Sequence, residues 1–198
     1  MKNCYVELAG GVGNQLFQVA AGYAYSKRCN KNLVLVTNGW TGSQGKHPDT
    51  YRSTLFKNFH FAKCPLDSFT EYHEPRFNYD EIPCKSGSVL LHGYFQSLKY
   101  FNDYVDEFIA LLNFKEIDTS FIQDNSAAMH VRRGDYLQHH NVHLICGTDY
   151  FLENLKGYDQ VNIFTDSLER VQLEFSETSC NYIKSNSELT DLYLMSQH

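Results

Sequence analysis

The chain reads as an α/β protein with parallel sheets, divided into two units, and three observations predict this. Short apolar runs alternate with stretches of helical spacing through nearly all of the 198 residues. A glycine-rich turn joins the first strand to the first helix, as in a βαβ unit. The strand–helix series then restarts after the polar stretch Asn113 to Asn125.

The elements follow in order. Cys4 to Leu8 is a strand, followed by the turn Ala9-Gly10-Gly11-Val12-Gly13-Asn14-Gln15. From Leu16 to Cys29 the apolar residues Leu16, Phe17, Val19, Ala20, Tyr23 and Ala24 recur at helical spacing. Leu33 to Val36 has the continuous apolar character of a buried strand. Residues 39–87 hold all four prolines and predict loops and short helices. Val89 to Leu91 is a strand, and Leu98, Phe101, Val105, Phe108, Ile109 and Leu112 predict one helix from Ser97 to Leu112. After the linker come a strand Ala127–Val131, a helix Thr148–Leu155, a strand Val161–Phe164 and a helix Leu168–Phe175. A strand near Tyr182 and a helix opened by Ser187 complete the series. The resulting division is an N-terminal α/β domain, residues 1–118, and a C-terminal domain, residues 119–198, with a cleft expected between them.

Composition narrows the function. At 42% hydrophobic, the chain has apolar mass enough for a real core in one domain or two small ones. Residues 1–120 carry 12 basic and 12 acidic side chains, and residues 121–198 carry 5 and 11. No broad basic field exists, which argues against nucleic acid as a partner. The six cysteines are scattered without a C-x-x-C pair, so reduced thiols in a cytoplasmic protein are expected. Met1 leads directly into strand pattern, and neither a signal sequence nor a membrane anchor is expected.

Against this acidic background, two of only six arginines stand side by side in His130-Val131-Arg132-Arg133-Gly134-Asp135-Tyr136. A guanidinium fork grips phosphate oxygens bidentately and never loses its charge. At the end of a strand, the pair reads as a diphosphate clamp. Displacing a nucleoside diphosphate from a sugar builds negative charge on the β-phosphate oxygen, which an enzyme meets with a metal or with fixed cations. No Asp-x-Asp pair stands at a strand end, so Arg132 and Arg133 take the metal's place. Strand alternation sends them to opposite sides, so unequal roles are expected: one on the β-phosphate, the other on phosphate or in support. The plain alternative for each is an ion pair with a nearby acid.

Other residues join this site by position. His130 is either a donor contact or a satisfied core histidine. Gly134 permits a sharp turn. Asp135 anchors the loop, orients an arginine or touches the ligand. Asp166 and Ser167 end a strand, where open α/β sheets place ligand contacts; Asp166 suits guanine N1 and N2, or else caps the next helix, as Ser167 would. In the first loop, Gly11 and Gly13 let backbone amides come close to a donor, and Asn14 and Gln15 offer neutral groups for phosphate or sugar hydroxyls. Gln96 is a further polar candidate on the acceptor side. His139, His140, His143 and Cys146 have zinc-ligand chemistry but no second cluster, so no metal is expected. Asp135, His139, His140 and His143 are the nearby choices for a general base, with the departing phosphate as the alternative.

Five blocks now carry a resemblance. Gly10 to Gln18, Gly93-Tyr94-Phe95-Gln96-Ser97-Leu98-Lys99-Tyr100-Phe101, His130 to Tyr136, Ile163-Phe164-Thr165-Asp166-Ser167 and Asp191-Leu192-Tyr193-Leu194-Met195-Ser196 resemble, in order, the motifs of the α1,2-fucosyltransferases. Each is weak alone; their order over nearly the whole chain is specific. The resemblance implies a GT-B architecture of two Rossmann-type domains, with the acceptor on the first and the donor nucleotide on the second. It implies metal-independent, inverting transfer of L-fucose from GDP-L-fucose to a sugar hydroxyl, without a cofactor, in a bacterial or viral setting. In that family a stretch rich in Asn, Ser and Trp follows the last block and completes the donor pocket. The chain stops at His198, so the resemblance implies a shortened second domain. A donor-binding but catalytically weak homologue is therefore the alternative function.

Overall fold

The structure, a computed structural model, describes residues 2–37, 45–63, 68–114, 117–134, 137, 145–185 and 187–198. The chain forms two compact units, Met1–Phe114 and Lys115–His198. Each is built on an all-parallel sheet.

In the first unit the strands are β1 (Asn3–Glu7), β2 (Asn32–Val36), β3 (Phe69–His73) and β4 (Ser88–His92), in the order β2-β1-β4-β3. The helices are α1 (Val12–Arg28), a single turn α2 (Asp49–Arg52) and α3 (Val105–Leu111). Central strands of a parallel sheet are covered on both faces, which is why Cys4, Tyr5 and Val6 are all buried, as are Val89, Leu90 and Leu91. Tyr5, Val34, Val36 and Leu90 form one core cluster, with Phe69 packed against it. On the other side α1 presents Val19, Ala20, Ala21 and Ala24, and it comes so close that a Cβ at Gly22 would run into Val6.

Three expectations change here. Helix α1 starts at Val12 rather than Leu16, because Gly11 takes the extended N-cap conformation and the first turn runs through Gly13, Asn14 and Gln15. Segment 39–87 contains β3, an edge strand of mixed polarity that lacks the apolar run of its neighbours. The single helix expected from Ser97 to Leu112 is broken into 3-10 turns at Leu98–Tyr100 and Asn102–Tyr104 before α3. The apolar residues there keep a 3.6-like spacing, but Phe101, at φ −141° and ψ 9°, takes the chain out of the helix.

The thiol expectation is corrected as well. Cys29 and Cys84 form a disulfide with Cα atoms 5.6 Å apart. The C-terminal end of α1 is stitched to the 82–87 segment around it. Arg28 Nη2 donates to the Ile82 carbonyl at 2.7 Å, Tyr25 OH donates to the Pro83 carbonyl at 3.3 Å, and Lys31 Nζ donates to the Lys85 carbonyl at 2.8 Å. Cys4 and Cys180 remain thiols, as does Cys146. Burial pushes the Cys4 thiol up to about 12.

The second unit has β5 (Ser126–Val131), β6 (Gln160–Thr165) and the short β7 (Asn181–Tyr182), with helices α4 (Thr148–Asn154), α5 (Leu168–Glu174) and α6 (Glu188–Met195). Its strand order is β5-β6-β7. Met129, Val131, Ile163, Val171 and Phe175 form one buried cluster, with Phe151 and Leu155 against it. Strand alternation turns Phe164 the other way, where its ring meets His198 edge-on at 6.1 Å. No helix among the described residues is long and apolar enough to cross a membrane.

Candidate functional site

The parallel register of β5 and β6 pairs His130 with Phe164 and Val131 with Thr165. Both strands therefore end at one level, and the residues that follow, Arg132 and Asp166, become neighbours. Arg132 Nε lies 3.6 Å from Asp166 Oδ2. Asp166 Oδ1 accepts the backbone N–H of Arg133 at 2.8 Å and of Gly134 at 3.1 Å. One carboxylate thus holds the turn after β5 and flanks the first arginine. Gly134 suits this close fit, since a Cβ there would sit 2.9 Å from Asp166 Oδ2 and push that carboxylate aside.

The two arginines part company at this turn. Arg133 is on the Val131 side of the strand and points inward; only 5% of its side chain is exposed. Its Nε donates to Glu174 at 2.9 and 3.2 Å, its Nη2 donates to the Cys146 carbonyl at 2.9 Å, and its guanidinium carbon lies 5.8 Å from the centre of the Phe151 ring. It bolts the strand end to α4 and α5, the supporting arrangement expected for one of the two arginines. Arg132, 38% exposed, lies on the His130 side. Desolvation by neighbouring atoms lowers the pKa of His130 most, although the residue is still exposed at the strand end, followed by the Arg132 charge, while Asp166 and Asp191 oppose the shift. His130, Arg132, Asp166 and Asp191 consequently share one electrostatic neighbourhood. Oδ1 of Asp191, on α6, is buried without a hydrogen-bond partner among the described residues.

Asp166 has a structural role beside the expected guanine contact: its Oδ1 serves the backbone turn, and its side chain remains 33% exposed. Ser167 takes the N-cap position of α5 but makes no side-chain cap bond; its own N–H donates to Thr165 Oγ1 at 3.0 Å. Asp135, His139, His140 and His143 lie outside the described residues. Cys146 enters only through its carbonyl.

In the first unit the loops after β1 and β4 meet. Gln18 is 1% exposed and joins them, accepting from the Ala9 N–H at 3.0 Å and donating to the Gly93 carbonyl at 3.0 Å. Gln96 Nε2 donates to Asn14 Oδ1 at 2.6 Å, so these two candidates form a single polar pair. Gln15, expected as a sugar contact, is fully buried, and its Nε2 donates to the carbonyls of Gly10 and Lys46 at 2.9 and 3.2 Å. It is corrected to a loop clamp. Gly10, at φ +73°, carries the left-handed turn, whereas Cβ positions at Gly11 and Gly13 would meet nothing within 4 Å. Glu74 secures the second loop by accepting the backbone N–H of Tyr94 and Phe95 at 2.8 and 2.9 Å.

Sequence reasoning missed Glu174, Gln18, Glu74 and Asp191 as parts of these sites. Gln18 and Asp191 stand inside recognised blocks, which was a usable signal. Glu174 and Glu74 act on sequence-distant partners and leave no local mark.

A relative in Escherichia coli, an alpha-1,2-colitosyltransferase, is 26% identical over 230 residues, covering 96% of the chain and 79% of the relative. The crystal structure of the fucosyltransferase NodZ from Bradyrhizobium superposes with a TM-score of 0.61 at 12% identity, over 99% of the chain and 86% of NodZ. NodZ alpha-1,6-fucosyltransferase co-crystallized with GDP gives 0.53 at 11% identity, over 98% and 81%. At such identities the structures speak for the fold alone. The decisive finding is the family model, Glycosyl transferase family 11, which matches residues 6–198. The chain belongs to glycosyl transferase family 11, and it is a glycosyltransferase.

Proposed function

We propose that the chain transfers L-fucose from GDP-L-fucose to a sugar hydroxyl, forming an α1,2 linkage to galactose with inversion, without a metal ion or cofactor, in the cytoplasm. The observation that carries this is Arg132, a permanent cation at the carboxyl end of β5, beside a turn that Asp166 holds rigid. Such a cation needs no reorganisation when charge develops on the departing phosphate. The relative named for α1,2 transfer of colitose supports the linkage and makes a colitose donor the competitor to test. NodZ with GDP supports a guanosine diphosphate leaving group.

The division of labour is GT-B-like. The second unit holds the donor through Arg132 and His130, with Asp166, Ser167 and Arg133 shaping the strand ends. The first unit offers Asn14 and Gln96 to sugar, and backbone at Gly11 and Gly13 that a ligand can approach closely. In the reaction the bond from the anomeric carbon to the β-phosphate oxygen breaks as the acceptor oxygen bonds that carbon from the opposite face. The acceptor's proton passes to a base or to the departing phosphate, and Arg132 offsets the new phosphate charge.

A product assay with GDP-L-fucose and β-galactosides, with and without a chelator, tests the reading. Transfer that persists with chelator and falls in Arg132→Ala supports it. Absence of transfer from GDP-L-fucose alongside transfer from a colitose nucleotide would replace the donor.

A further inference from the structure

The carboxyl ends of the first sheet carry a cluster that the transfer reaction does not use. Register brings Glu7 of β1, His92 of β4 and His73 of β3 into one row; His73 pairs directly with His92. Glu71 precedes His73 by two residues and so shares its face. One ligand atom each from Glu71, His73 and His92 all lie within 4.8 Å of one another.

His92 shows an unused donor pair. Its Nδ1 lies 2.6 Å from Glu7 Oε2, while its Nε2 is buried and has no hydrogen-bond partner among the described residues. A carboxylate on Nδ1 holds the proton there and leaves the lone pair on Nε2, which is the arrangement that orients and strengthens a metal-ligating histidine. Left without a partner, a buried imidazole nitrogen loses its hydration for nothing in return. The His73 ring stacks on that of His92, at 4.5 Å between centroids and 6° between planes. His73 stands on the edge strand with 67% of its side chain exposed, and its Nε2 lies 2.9 Å from Glu71 Oε2.

We propose that Glu71, His73 and His92 form a binding site for a first-row divalent cation of the zinc type, with Glu7 supporting His92 from behind. Two imidazoles and one carboxylate favour zinc, cobalt or nickel over magnesium or calcium, which prefer oxygen. Bonds of about 2.0–2.2 Å require the three donor atoms to draw closer than they stand. Rotation of the exposed His73 side chain supplies that movement. A fourth position is left to water. The bound ion ties the edge strand to β4, one residue before Glu74 and Gly93, which together set the loop bearing Gln96.

The test uses the full chain freed of metal with a chelator and then dialysed. Calorimetry with zinc chloride, paired with visible absorption after adding cobalt chloride, is expected to show saturable binding of one equivalent. His73→Ala and Glu71→Gln, both at exposed positions, abolish or sharply weaken it while the melting temperature without metal stays put. Glu7→Gln lowers affinity by roughly 10–100-fold, the effect of losing a carboxylate behind a histidine ligand. Binding weakens on acidification, as protons compete for the imidazoles. Absence of saturable binding overturns the proposal. So does binding undiminished in His73→Ala with Glu71→Gln, since the ion would then sit elsewhere. Neither outcome depends on sugar transfer, so failure here is separable from failure of the proposed reaction.

Discussion

Adjacent residues of one type do different work here because a strand sends neighbours to opposite faces. Arg133 is enclosed by Glu174, Cys146 and Phe151, whereas Arg132 stays partly exposed beside Asp166. Arg132→Ala is therefore expected to cut kcat by about 10²–10³-fold, the scale of losing one preorganised charge-stabilising donor, with little change in melting temperature. Arg133→Ala removes the enclosed guanidinium that holds the half-buried Glu174 and should destabilise by about 2 kcal/mol, the scale of lost charge-assisted hydrogen bonds, seen in urea unfolding. Matching kinetic and stability losses in the two variants would contradict this split. His130 gives a pH signature. Its folded pKa is below the ordinary 6.5, so the unfolded chain binds the proton more readily. Stability should fall as pH drops through that range, and level off below the depressed folded value. Melting curves of His130→Asn should show a shallower fall; an unchanged slope would count against it. The sequence made the inequality of the arginines legible through alternation alone. It could not show that Gln15 is enclosed, because a glutamine beside glycines looks the same whether it faces ligand or clamps a loop.

At the level of elements, the strongly apolar strands and the helices led by glycine or serine were readable, and those governed by tertiary partners were not. Edge strand β3 is held by backbone pairing to β4 and by little apolar burial of its own, so periodicity gave no signal. The 97–112 segment has the spacing of a helix but breaks where Phe101 joins Phe17 and Phe108 in an aromatic cluster. The disulfide shows the same limit, since 55 residues separate Cys29 from Cys84 and no spacing rule links them. Closing a loop of that length is worth about 4 kcal/mol in the chain-entropy model. Reduction, or Cys29→Ser with Cys84→Ser, should lower the urea midpoint accordingly. Cys4 gives the opposite expectation: a fully buried thiol whose pKa is about 12 stays unreacted under native labelling. Mass spectrometry of the Cys4 peptide, modified only after unfolding, would confirm it; labelling of native protein as fast as at the half-buried Cys146 and Cys180 would refute it.

Across the whole molecule, charge is spent unevenly. The second unit is acidic, so the proposed donor site relies on the partly exposed Arg132 guanidinium rather than on a basic field. A single strong contact of this kind makes nucleotide binding, folding stability and salt dependence expressions of one interaction. GDP at about one hundred times its dissociation constant should stabilise the native chain by about 2.7 kcal/mol. For a chain of this size that is a rise of roughly 5–10 °C in melting temperature. Arg132→Ala should lose most of that rise, while a destabilised Arg133→Ala should start lower and still climb, because its arginine supports the turn without meeting the phosphate. Added salt should shrink the rise for wild type. A GDP response in Arg132→Ala equal to that of wild type would place the diphosphate elsewhere and remove the electrostatic basis for transfer without a metal.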